Sequence, residues 1–295
     1  MGELVMRKMA VISLVLLLFL VGCGKEEAAQ KPEQKTEKEP KIVATTVAIT
    51  EIMDKLDLPL VGIPSSSKKL PKRYADVKET GSPMGPDLEI IRMLKPDMVL
   101  STKTLEADLK SGFEGANLEA DFLDFTSIAS MQTEIKNLGA KFDRIEEATK
   151  LNKDLTSDID QVKSNVAKKK KPTVLILMGV PGSYLVVTEH AYIGDLVKLA
   201  GGENVIKDQK VEYLASNTEY LQSANPDIIL RAAHGMPAEV VKMFDEEFKT
   251  NDIWKHFDAV KNNRVYDLDE NLFGMTASLN APEALKEMEK MLYDN

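Results

Sequence analysis

Two side chains in this sequence stand where they could ligate a metal. His234 lies in "PDIILRAAHGMPAEV" (Pro226 to Val240), where an apolar run of strand length gives way to a Gly-Met-Pro turn. Such an imidazole can be a general base, a metal ligand or a hydrogen-bonded loop residue. Met84 sits between Pro83 and Gly85-Pro86, a rigid turn where core filling, the usual task of methionine, is a less natural reading. The other two of the three histidines offer less: His256 falls in the amphipathic "DIWKHFDAV" and His190 follows a strand in "VVTEHAY". A zinc or manganese site would gather several His, Asp or Glu ligands, and the strand-end loops offer one histidine. A catechol siderophore would want a basic, aromatic-lined cleft, whereas these loops supply Arg231 and Tyr184. One imidazole and one thioether, from opposite halves of the chain, suit the two axial positions of heme iron.

Two further loops could bind an anion. Thr45-Thr46-Val47-Ala48 turns a strand into a helix, whose first N–H groups lack intrahelical acceptors. Ser65-Ser66-Ser67 is followed by Lys68 and Lys69. An ordinary threonine-capped helix and a solvated serine loop explain the same residues equally well. Ser183 in "VPGSYL" lacks the Gly-x-Ser-x-Gly elbow of a hydrolase, and no Ser/His/Asp constellation emerges, which counts against an enzyme.

The elements that position these loops form a repeat. "EIIRMLKPDMVL" (Glu89 to Leu100) and "EYLQSANPDIIL" (Glu219 to Leu230) each place Glu seven residues before Pro-Asp, at an offset of 130. The same offset carries "KIVATTV" at Lys41 onto "KPTVLIL" at Lys171. Each unit reads as a short helix stopped by Pro-Asp, then a strand buried on both faces. Two α/β lobes are expected, 41–142 and 171–295, with the ligand cleft between them at the strand carboxyl ends. A stripe through Ile145, Ala148, Leu151, Leu155, Ile159, Val162 and Val166 predicts a long connecting helix within 143–170, ending at four lysines and Pro172. An earlier helix through Met131, Ile135 and Leu138 is expected to break at Gly139.

The N-terminus reads as an export signal over 1–22: Arg7 and Lys8, an apolar run too short to span a bilayer, and a small-residue site before Cys23. Cys23 is the only cysteine, in a lipobox-like context that predicts lipidation. Residues 23–40, rich in Lys, Glu, Gln and Pro, then form a disordered tether to the outer face of the membrane. A net charge of −9 argues against nucleic acid.

These features together resemble the substrate-binding proteins of ABC transporters that carry siderophores, cobalamin, heme and some metals. The runs "IVATTVAIT", "GSPMGPDLE", "VLILMGVPGSYLVVTE", "YIGDLVKLAGGENVI", "NPDIILRAAHGMP" and "NDIWKHFDAVKNNRVYDL" narrow the resemblance to the heme-receptor lipoproteins of Gram-positive iron-regulated surface systems. The resemblance implies a monomer carrying one heme b between its lobes, with Met84 and His234 as axial ligands. Val47, Ala48, Ser66 and Ser67 would approach the porphyrin and its carboxylates, with Thr46 and Arg231 completing the set. Ser67 stands where some relatives carry tyrosine. Glu89 and Glu219 would meet arginines on the two ABC permease subunits, and cell-surface heme-binding proteins would supply the cargo. A ferric siderophore or cobalamin receptor on the same scaffold is the alternative, and a lipid-anchored enzyme the remote one.

Overall fold

The apolar runs that read as buried strands are strands in the computed structural model, which describes residues 39–215, 221, 224–234 and 236–294. The export signal, Cys23 and nearly all of the tether lie outside the described residues, as does Glu219. The chain begins β1 (Ile42–Ala44), α1 (Val47–Lys55), β2 (Gly62–Ile63), β3 (Lys78–Glu79), β4 (Gly81–Ser82) and β5 (Gly85–Pro86). It continues α2 (Leu88–Leu94), β6 (Met98–Thr102), α3 (Glu106–Gly115), β7 (Ala120–Leu123) and α4 (Ile128–Lys141). After α5 (Ile145–Val166) come β8 (Thr173–Val180), β9 (Ser183–Val187), α6 (Tyr192–Leu199), β10 (Glu203–Asn204) and β11 (Tyr213–Ala215). The last elements are β12 (Ile228–Ala233), α7 (Pro237–Thr250), α8 (Asp258–Lys261), β13 (Val265–Leu268) and α9 (Ala281–Tyr293).

The strands make two separate sheets, one on each side of α5, as expected of an α/β chain in two lobes. The first is all parallel, in the order β3-β2-β1-β6-β7. The second runs β11-β9-β8-β12-β13, parallel from β8 to β13 and antiparallel at the β8-β9-β11 edge. β10 pairs with the first residues of β8. A short hairpin of β4 and β5 stands apart from both sheets.

The repeated Pro-Asp has a structural meaning. Asp97 accepts the backbone N–H of Lys41 at 2.8 Å, and Asp227 accepts that of Thr173 at 2.8 Å. In each lobe the aspartate entering the second strand thus caps the start of its neighbour. Lys95 and Asn225, the residues before each Pro, both take positive φ, at 49° and 27°. The registers Ile42↔Met98 and Val174↔Ile228 correct one detail: the second strands repeat at 130, but the first at 132. An even shift keeps the same face inward, so the alternation alone could not reveal it.

The 22 residues of α5 span about 33 Å at 1.5 Å per residue. Ala148, Leu155, Ile159, Val162 and Val166 are buried along it, whereas Ile145, the first residue of the stripe, is 61% exposed. Gly139 does not break α4, which runs on to Lys141. A Cβ there would lie 2.5 Å from that of Ala148, so this glycine lets α4 and α5 pack closely. One hydrophobic core extends from Ile42 and Leu100 through Leu155 and Ile159 to Val174 and Leu285. Across the same junction Asp195 accepts the N–H of Ile128 at 2.9 Å, and Ala277 donates to the carbonyl of Phe125 at 2.8 Å. Residues 39–295 accordingly form one compact unit. Among the described residues no helix is long and apolar enough to cross a membrane.

Candidate ligand-binding site

Parallel strands deliver their loops to one edge, and the loops following β1 and β2 are neighbours because Val43 pairs with Gly62. Thr46 caps α1 in extended conformation and accepts the N–H of Ile49 at 3.4 Å, as its type predicts. Its carbonyl accepts the N–H and the hydroxyl of Thr50, at 3.1 and 2.8 Å. Val47 and Ala48 open the helix, where their N–H groups have no intrahelical acceptor. Ser66 and Ser67 are exposed in the next loop, and Ser66 Oγ accepts the N–H of Lys68 at 3.0 Å.

Met84 is held by a small rigid mount. Gly81 pairs with Pro86 and Ser82 with Gly85, so Pro83 and Met84 are the two tip residues of a hairpin. Gly81 has φ +95°, and a Cβ there would lie 3.0 Å from Asp87 N and 3.1 Å from Gly85 O, so only glycine fits. Ser65 donates to Gly81 O at 2.8 Å, tying the serine loop to the hairpin. Asp87 donates to Thr80 O at 2.7 Å and caps α2 through the N–H groups of Glu89 and Ile90. The thioether at the tip is 65% exposed, so Met84 is no core residue.

His234 directly follows β12 and is half-buried. Its N–H donates to Gly179 O at 2.9 Å, extending the β8 pairing by one residue. Gly179 serves a second purpose, since a Cβ there would meet Val240 Cγ1 at 2.4 Å and Phe244 Cε2 at 2.6 Å. Its lack of a side chain brings α7 against β8, and α7 begins three residues after His234. Met236 starts that helix in the left-handed region, φ 45°, with Pro237 in the first turn and its side chain 57% exposed. The other histidines are engaged elsewhere: His190 Nε2 lies 2.7 Å from Gln209 O, and His256 closes a short 3-10 turn.

Arg231 differs from expectation. It lies within β12, in register with Asp267, and is only 8% exposed. Its guanidinium donates to both Asp267 oxygens, at 2.8 and 2.6 Å, and to Asp245 at 2.9 Å, while stacking on Phe244 and Phe248. That set accounts for a buried charge without a ligand. Glu89 is exposed in the first turn of α2, open to a partner.

The structure adds a contact that sequence reasoning missed. Lys68 reaches from the serine loop to the loop after β13 in the other lobe, donating to Glu270 O at 3.2 Å and Asn271 O at 3.5 Å. Glu51, in the second turn of α1, has its carboxyl pushed up by burial, with the Lys68 ammonium as the largest opposing influence. Within the first lobe Lys103 pairs with Asp124 at 2.8 Å, and both charges act on the half-buried Glu212 of the other lobe, whose carboxyl is pushed up chiefly by burial. Among the described residues no group of three or more His, Cys, Asp or Glu side chains is placed to hold a bare metal ion.

A sequence model described as periplasmic binding protein matches residues 42–272, which include both sheets and α5. The chain belongs to the periplasmic binding protein family. It is 50% identical over 287 residues to the high-affinity heme uptake system protein IsdE of Staphylococcus aureus, covering 97% of each chain. The crystal structure of S. aureus IsdE complexed with heme superposes with a TM-score of 0.84 at 53% identity, over 87% of this chain and all of that one. The periplasmic vitamin B12 binding protein BtuF of Vibrio cholerae also superposes, with a TM-score of 0.67 over 86% of this chain and 96% of that one. At 16% identity that likeness speaks for the fold alone.

Proposed function

We propose that this protein is an extracytoplasmic heme receptor, anchored to the membrane through lipid on Cys23, that passes its cargo to an ABC permease and performs no chemistry of its own. The observation that carries this reading is the pair of mounts: a thioether at the tip of the β4–β5 hairpin and a histidine whose backbone is tied to Gly179 at the end of β12, one on each lobe. Thioether and neutral imidazole together make a six-coordinate site of the kind that raises the potential of heme iron. The first-turn N–H groups of Val47 and Ala48, with the serine loop at Ser66 and Ser67, suit the two porphyrin carboxylates. Arg231 has no place in this set, because two aspartates already hold it. Glu89 on one lobe and Glu219 on the other are the residues proposed to meet the two halves of the permease. The 50% identity to a heme uptake protein supports the same cargo.

A direct test offers the receptor hemin, a ferric catechol siderophore and cobalamin in separate titrations, followed by quenching of its single tryptophan, Trp254. Saturable one-to-one binding of hemin alone is expected. Binding of the siderophore or of cobalamin with no response to hemin would overturn the cargo while leaving the scaffold in place.

A further inference from the structure

Lys68 carries a positive charge that, among the described residues, no carboxylate pairs with directly. An ammonium has three donors and is best satisfied by a carboxylate, where the attraction of opposite charges adds to the hydrogen bond. The Lys68 donors instead find two neutral carbonyls, Glu270 O and Asn271 O, at 3.2 and 3.5 Å. Among the described residues no carboxylate lies within 4.0 Å of it, unlike Lys103, Lys110 or Lys141, each paired at 2.8 Å.

Its position is as informative as its partners. The Lys68 loop follows β2, beside the β1 loop that opens α1. The ammonium bears on Glu51, one turn along α1 from Val47 and Ala48. The charge is therefore felt at the second turn of α1, the helix whose first turn presents unpartnered N–H groups. The bonds to Glu270 and Asn271 also make Lys68 a strut between the two lobes.

We propose that Lys68 is the cation that receives one of the ligand's carboxylates, and that the carbonyls of Glu270 and Asn271 hold its ammonium only while the site is empty. This assignment rests on the heme reading. A porphyrin carboxylate entering beside α1 replaces two long bonds to uncharged carbonyls with an ion pair and dissolves the strut as it does so. Lys68 then discriminates between porphyrins by their acid groups, a selection that the two iron ligands cannot make.

The test uses residues 39–295, the compact unit that contains every described strand and helix. Wild type, Lys68→Ala and Lys68→Arg are titrated with hemin and with the iron protoporphyrin dimethyl ester, whose carboxylates are capped, in one buffer. Lys68→Ala should weaken hemin binding about tenfold, the scale of one charge-assisted hydrogen bond. Lys68→Arg should recover most of that loss. Affinity for the ester should be the same in Lys68→Ala as in wild type, or slightly tighter once the strut is gone. The low-spin absorption spectrum should be unchanged throughout, because neither axial ligand is touched. Equal weakening of hemin and ester, or undiminished hemin binding in Lys68→Ala, would overturn the assignment. A wild-type protein that forms no complex with hemin would instead defeat the heme reading, and the carboxylate assignment with it.

Discussion

Adding a single methyl group at Gly179 should damage both the stability of the second lobe and the mounting of His234. The new Cβ would stand 2.4 Å from Val240 Cγ1 and 2.6 Å from Phe244 Cε2, where ordinary contact begins at 3.4 Å. Val240 and Phe244 are 0% and 1% exposed, so neither side chain can swing into solvent. The helix α7 must therefore retreat by roughly 1 Å, and overpacking of this kind costs about 1–3 kcal/mol. Gly179 O also accepts the backbone N–H of His234, so the displacement reaches the His234 backbone through the bond that fixes it. Urea unfolding of Gly179→Ala, Val240→Ala and the double variant measures the effect. Val240→Ala alone should cost roughly 2 kcal/mol through its cavity. In the double variant the added methyl occupies part of that cavity, so the losses should fall short of additivity by about 1 kcal/mol. Strict additivity, or a Gly179→Ala change within about 0.5 kcal/mol of zero, would refute the packing argument.

Other consequences can be measured on the same chain. Gly81→Ala should cost about 1–2 kcal/mol, read from its urea midpoint, because alanine must take φ +95° against Asp87 N and Gly85 O. Asp227→Ala should lose about 1–2 kcal/mol, since it strips the cap from both the N–H and the hydroxyl of Thr173. Asp97→Ala should lose less, because only the Lys41 N–H depends on it. Burial alone would raise the carboxyl of Asp124, but Lys103 at 2.8 Å and the hydroxyl and N–H of Thr126 bring it down to about 2. A depressed carboxylate stabilises the fold above its unfolded pKa near 4 and loses that contribution as the pH falls towards 2. Asp124→Asn should therefore be less stable than wild type by about 1–2 kcal/mol at pH 6, with the gap closing by pH 2.

The repeat was legible because it rests on local residue types. Pro-Asp after a short helix needs no partner to be seen, and its two copies mark equivalent places in the two sheets. Residues whose meaning depends on something distant were misread or missed. Gly139 looks like a helix stop in one dimension, whereas its reason is the Cβ of Ala148 on the next helix. Arg231 looks like a cation offered to a cleft, and only the pairing of β12 with β13 reveals Asp267 in register with it. Lys68 was visible as a residue of an anion-compatible loop. That its ammonium reaches Glu270, some 200 residues along the chain, required the fold. The mounts of Met84 and His234 lie between these extremes, since the turn residues around each are readable but the anchors at Asp87, Thr80 and Gly179 are not.

The central claim is tested most directly by the visible absorption spectrum of residues 39–295 during a hemin titration, recorded beside Met84→Ala and His234→Ala. The expected result is a saturable one-to-one, six-coordinate low-spin spectrum in the wild type that changes in each variant. Overall affinity should fall less decisively, because burying several hundred Å² of porphyrin contributes on the order of 10 kcal/mol by itself. A low-spin spectrum that survives unchanged in either variant would remove that residue as an iron ligand. A wild-type spectrum no different from that of free hemin would contradict the account at its root.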